Sequence, residues 1–123
     1  MEKTKKFTDL IVWQKAHQLV LKVYQITKTF PKEEIYGLTS QLRRAAVSVP
    51  NNIAEAYKKR SAKDKLHFLN ISETSLEETK YLLILSHDLK YAHTSELFNN
   101  AEEVGRLLNA YSKGIEKNVF WIY

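Results

Sequence analysis

Four histidines, at 17, 67, 87 and 93, and fourteen carboxylates are the groups from which a metal site or an acid–base pair would be built. The histidines form no ligand pair at helical spacing. The Glu-x-x-His motif that assembles carboxylate-bridged metal bundles is absent. With no cysteine, thiolate sites, disulfides and cysteine nucleophiles are excluded. His17 falls on a helical seam, where a hydrogen-bonded core histidine is expected rather than a ligand. Gly37, Gly105 and Gly114 stand alone, so no phosphate-cradling glycine loop exists. No pattern marks a serine as a nucleophile with its base and orienting acid. The sequence therefore predicts no enzyme, no metal and no cofactor.

Two polar clusters remain. Lys58-Lys59-Arg60, followed by Lys63 and Lys65, is the densest run of charge. Such a run could hold phosphates, but cations at a helix C-terminus also complement the helix dipole, and both readings stay open. Arg43-Arg44, with Gln41, Ser48, Asn52 and Glu55, forms a polar row beside an apolar seam. It reads as a polar network fixing helix register or subunit contacts, with Arg43 and Arg44 as further candidates for phosphate contact.

These groups must be positioned by helices. Only three Gly and two Pro interrupt a chain that is 44% hydrophobic, which leaves few turn residues for strands. Thr8 is a plausible cap before Leu10, Trp13, His17, Val20, Tyr24 and Thr27, a helix ending near Phe30-Pro31. Val12, Ala16, Leu19, Val23 and Ile26 widen its apolar face beyond one stripe. A second helix, from about Lys32–Ile35 to Arg60, carries Leu38, Leu42, Ala45, Val49, Asn52 and Ala56, and Pro50 predicts a kink or break within a turn of it. Ser61-Ala62-Lys63-Asp64 opens a third as a capping box. There Phe68, Ile71, Ser75, Glu78, Leu82, Leu85 and Leu89 keep heptad spacing, beside a second stripe of Leu69, Ser72, Leu76 and Leu83. Thr94 or Ser95 caps a fourth, with Leu97, Ala101, Val104, Leu108, Tyr111 and Ile115. The expected fold is all-α, a single antiparallel four-helix bundle over 1–123, with a flexible N-terminus (1–7) and an apolar C-terminal tail (118–123) that docks on its own bundle or a neighbouring subunit.

Net charge is +5 and uneven. Residues 1–65 carry 14 basic and 6 acidic groups, and residues 66–123 carry 5 and 8. A basic half can face phosphates or simply be solvated. Neither a signal peptide nor a stretch of about 20 apolar residues is visible, so a cytoplasmic protein off the membrane is expected.

Val12-Trp13-Gln14-Lys15-Ala16, then Phe30-Pro31 with Glu34, Tyr36, Gly37 and Leu38, and above all the run from Gln41 to Glu55 (QLRRAAVSVPNNIAE) carry a likeness. Phe68-Leu69, Ser75-Leu76 and Glu78 extend it. Over nearly its whole length the chain resembles the four-helix-bundle proteins encoded in intervening sequences of bacterial 23S rRNA genes. It departs where that family usually has glycine, at Ala56 and Thr74, which weakens any expectation of very close backbone approach there. The resemblance implies barrel-shaped homopentamers, no enzymatic activity and, from a branch that assists retroelement reverse transcriptases, binding of nucleic acid. The leading expectation is an oligomeric bundle binding RNA or another nucleic acid, and the rival is a protein-interaction scaffold. A hydrolase or transferase would need an organised cleft around Arg44, Ser48 and Glu55. Because the heptad puts Ser75 and Glu78 inward, Glu78 is expected to be buried and paired with Arg43 or Arg44.

Overall fold

Val12, Ala16, Leu19 and Val23 recur at helical spacing and are all buried along α1 (Ile11–Thr27), with Leu10 buried at its N-cap. The computed structural model describes residues 4–117, so the 118–123 tail lies outside the described residues. Three further helices follow, α2 (Leu38–Lys58), α3 (Ala62–Asp88) and α4 (Ser95–Glu116), and no strand occurs among the described residues. The fold is an all-α four-helix bundle.

Thr8 does not cap α1. It sits in a 3-10 turn, Phe7–Asp9, and Leu10 takes the cap position with no side-chain hydrogen bond. α1 stops at Thr27 rather than near Phe30, and α2 starts at Leu38, later than Lys32–Ile35, because the segment between them folds as a second 3-10 turn at Lys32–Glu34. The Glu34 carboxylate satisfies the first turn of α2. Its Oε1 accepts from the Leu38 amide at 3.1 Å, while Oε2 accepts from the Tyr91 hydroxyl at 2.8 Å, tying the two connections at this end of the bundle together. Hydrogen bonds to the ionised form, first from Leu38 and then from Tyr91, hold Glu34 below the usual carboxylate range. α2 runs through Pro50 without a break.

Contacts between neighbouring helices proceed in opposite order along the chain. Gln41 meets Glu78, Ser48 meets Ser75, and Ala56 and Tyr57 meet Lys65. Likewise Lys15 meets Glu103 and Lys22 meets Glu96, and Lys80 meets Glu102 while Glu73 meets Ser112. One end of the bundle therefore holds the start of α1, the turn between α2 and α3, and the finish of α4.

The inward face of α3 differs from the heptad reading. Its buried residues are Leu69, Ser72, Leu76, Thr79, Leu82, Leu83 and Ser86, whereas Phe68, Ile71, Ser75 and Leu85 are half-buried and Glu78 and Leu89 exposed. Buried small hydroxyls allow this, because each donates to a backbone carbonyl: Ser72 to Val49 across the α2 contact, Thr79 to Ser75 and Ser86 to Leu82. No buried side-chain nitrogen or oxygen is without a partner among the described residues, so burying these hydroxyls costs little. In α1 the seam is rotated in the same way. His17 is exposed and stacks on half-buried Trp13, ring centroids 4.9 Å apart, rather than lying in the core.

Candidate functional site

The densest basic run folds around the three-residue turn between α2 and α3. Ser61 opens α3 as its sequence suggests, its Oγ accepting from the Asp64 amide at 3.1 Å. Lys58, Lys59, Arg60 and Lys63 are all exposed. Lys65 does not join them. Its Nζ turns back and donates to the carbonyls of Ala56 and Tyr57 at 3.2 and 3.0 Å in the last turn of α2, where the Ala56 carbonyl also accepts from the Lys59 amide. Burial lowers its pKa from the usual lysine value. Lys65 is thus a cap for α2 and is removed from the expected phosphate-binding set.

Two further segments reach this end. Thr4 Oγ1 lies 2.8 Å from the Tyr57 hydroxyl, which brings exposed Lys5 and Lys6 beside the finish of α2. Their amides both reach Asp9, and the Lys5 amide above all holds its carboxyl below the ordinary range. The last turn of α4 adds exposed Lys113, with Lys117 just past it. Next to them Tyr111 is buried near Tyr57, and desolvation pushes its phenol up to about 12. Sequence reading misses these four lysines, since nothing local in the chain says that three separated segments share one end. Only the order of the helices could show it.

Arg43 is also spoken for. Its Nε donates to Thr27 Oγ1 at 2.8 Å and its guanidinium lies 4.6 Å from the Tyr24 ring centroid, joining α2 to α1. Arg44 is exposed and lines a shallow groove of about 430 Å³ with Tyr36, Ser40, Gln41, Ser48, Ser75 and Glu78. Glu78 is not the expected buried partner of either arginine. It is exposed, and its Oε2 accepts from Gln41 Nε2 at 3.3 Å, because the rotation of α3 carries position 78 off the core face. The hydroxyls of Ser48 and Ser75 are 2.8 Å apart, with the Asn52 amide 3.0 Å from Ser48 Oγ. Glu55 is exposed and does not line the groove. The polar network is therefore Gln41–Glu78 and Ser75–Ser48–Asn52, without Glu55. Ser48 and Ser75 thus engage each other and Asn52, while the Glu78 carboxylate in the same groove engages Gln41. Among the described residues no cluster of three metal-ligating side chains could hold an ion. No described helix is long and apolar enough to cross a membrane.

A model of the 23S rRNA-intervening sequence protein family matches residues 8–110. The chain belongs to that family. A solved structure of a protein of unknown function from the S23 ribosomal protein family of Bacteroides thetaiotaomicron VPI-5482 is similar, with 25% identity and a TM-score of 0.76. The match covers 84% of this chain and 96% of that one. No curated protein matches. The long run that marks the intervening-sequence family, Gln41 to Glu55, lies wholly within α2, and its Leu42, Ala45, Ala46, Val49, Pro50 and Ile53 are buried. Of the two positions where glycine is usual, Ala56 is fully buried against the bundle, and Thr74 is exposed with its hydroxyl donating to the Ile71 carbonyl.

Proposed function

We propose that this member of the intervening-sequence family is a cytoplasmic, non-enzymatic, oligomeric bundle that binds RNA or another nucleic acid through its basic end. One observation carries the reading: exposed lysines and an arginine from the N-terminal segment, the α2–α3 turn and the finish of α4 converge on one end. Phosphates released from their counterions there would make binding steeply salt-dependent. The test is fluorescence anisotropy with a labelled RNA at several salt concentrations, comparing the wild type with a variant carrying Gln at Lys58, Lys59, Arg60 and Lys63. The variant should bind more weakly, and its salt slope should fall by about 0.7–0.9 for each phosphate that is no longer neutralised. Unchanged affinity would refute the assignment.

Oligomerisation, with a pentamer as the form the family resemblance implies, is supported by apolar side chains that the bundle leaves uncovered. Ile11 is 53% exposed, Leu21 56% and Tyr24 41% on α1 alone. Light scattering at micromolar concentration should give a mass near five chains, and a concentration-independent monomer would refute it. The same exposed side chains favour the rival reading, a protein-interaction scaffold. Under that reading, capture of a protein partner survives the four Lys and Arg substitutions.

A further inference from the structure

We propose that the ligand of the basic end is an unpaired nucleic-acid strand, one base of which stacks on the ring of Phe68 as Lys59 moves from that ring to a phosphate. The proposal rests on the nucleic-acid reading above and adds the strandedness of the ligand and the residue that selects it. Phe68 is half-buried, packed on the core from the second turn of α3, so its ring is held in place. The ammonium of exposed Lys59 lies over that ring, 5.0 Å from its centroid. Exposed His67 stands edge-on to it at 5.2 Å. Arg60, in the same turn as Lys59, and Lys63, in the first turn of α3, are both exposed.

The arrangement combines the two elements that recognition of single strands needs, cations tracking phosphates and a fixed aromatic face beside them. A lysine whose ammonium stays at the surface makes only a weak contact with a ring. A stacked base makes a stronger one, and the lysine set free would gain a phosphate oxygen. Every base has a π-face, so the site would tolerate sequence. A duplex keeps its base faces stacked inside, so it could use the cations but not Phe68. The basic end alone would bind both forms; the ring makes it prefer one.

Anisotropy titrations of the full chain would use a labelled RNA of about 12 nucleotides, within the range of single-strand site sizes, and the same strand annealed to its complement. Phe68→Leu keeps the apolar packing and removes the aromatic face. It should weaken single-strand binding about tenfold, the loss of one stacked base, while leaving duplex binding unchanged. Photo-crosslinking of the wild-type protein to the same strand carrying 5-iodouracil should place the adduct on the peptide that contains His67 and Phe68. Unchanged single-strand affinity in a folded Phe68→Leu variant, or an adduct mapping elsewhere, overturns this inference and leaves the nucleic-acid reading intact. Should the variant fail to fold, the crosslink decides alone. Failure of the wild type to bind either form removes the nucleic-acid reading itself.

Discussion

Replacing Lys65 by Met separates capping from ligand binding within one charge cluster. The methionine keeps the packed stem of the side chain but removes the ammonium that bonds the Ala56 and Tyr57 carbonyls at 3.2 and 3.0 Å. A hydrogen bond from a charged donor contributes roughly 1.5–3 kcal/mol. Two such bonds would suggest a large loss. However, the site is only partly buried, the Ala56 carbonyl keeps its bond from the Lys59 amide, water can reach the Tyr57 carbonyl, and the desolvation that lowers the Lys65 pKa is relieved by the change. The net destabilisation should be about 1–2 kcal/mol, which for a chain of this length lowers Tm by roughly 3–10 °C. Thermal and urea unfolding followed by circular dichroism would measure it. Lys63→Gln, two residues away and exposed, should change stability by no more than about 0.5 kcal/mol while weakening nucleic-acid binding. A Lys65→Met variant that melts with the wild type would refute the capping role.

Alkaline pH should expose the buried phenol of Tyr111. Its pKa rises from 10.0 to about 12 on folding, so between those values the unfolded chain has lost a proton that the folded chain keeps, and stability falls as pH rises through that window, by up to about 3 kcal/mol. Lys65, with its lowered pKa, pulls the other way, so Tyr111→Phe in an otherwise wild-type chain should isolate and remove the decline. Gly37→Ala would put a Cβ 2.7 Å from Glu34 Oε1, forcing the carboxylate off the α2 amide it caps; a loss of about 1 kcal/mol in urea unfolding is expected. Glu78→Ala should alter stability by less than about 0.5 kcal/mol, since an exposed 3.3 Å contact to Gln41 is all it gives up, and a loss of several kcal/mol would restore the buried-pair expectation.

The four helices are legible in the sequence because their apolar periodicity is long and their punctuation, at Ser61 above all, is local chemistry. The seam of α4 is legible in full, every one of its six apolar positions being buried. In α3 the heptad of large side chains points to a rotated face, because size alone does not mark burial. Ser72, Thr79 and Ser86 look polar, yet each commits its hydroxyl to a backbone carbonyl and so costs little to bury. The same rotation carries Glu78 outward. The basic turn is visible as charge, but which of its cations are free is not. Lys65 and Arg43 are the same residue types as Lys63 and Arg44, and only the carbonyls and hydroxyls that surround them decide that one of each pair is structural.

The hydroxyl ladder of α3 has a counterpart alongside it: Leu69, Leu76 and Leu83 repeat at the same seven-residue interval as Ser72, Thr79 and Ser86. A helix whose inner face repeats itself cannot tell one register from another. Sliding α3 by one heptad, about 10 Å at 1.5 Å per residue, would set leucine against the former place of leucine and hydroxyl against that of hydroxyl. What identifies the native alignment breaks the repeat: the short turn capped by Ser61, the bond across to Val49 that Ser72 makes while Thr79 and Ser86 bond α3 itself, the Lys65 clasp on α2 and the Glu34–Tyr91 bond at the far end. Most of the core's mass thus supplies cohesion without addressing. The address is written at the two ends and at the Ser72–Val49 bond between them, and lesions there should scramble alignment before they dissolve the bundle.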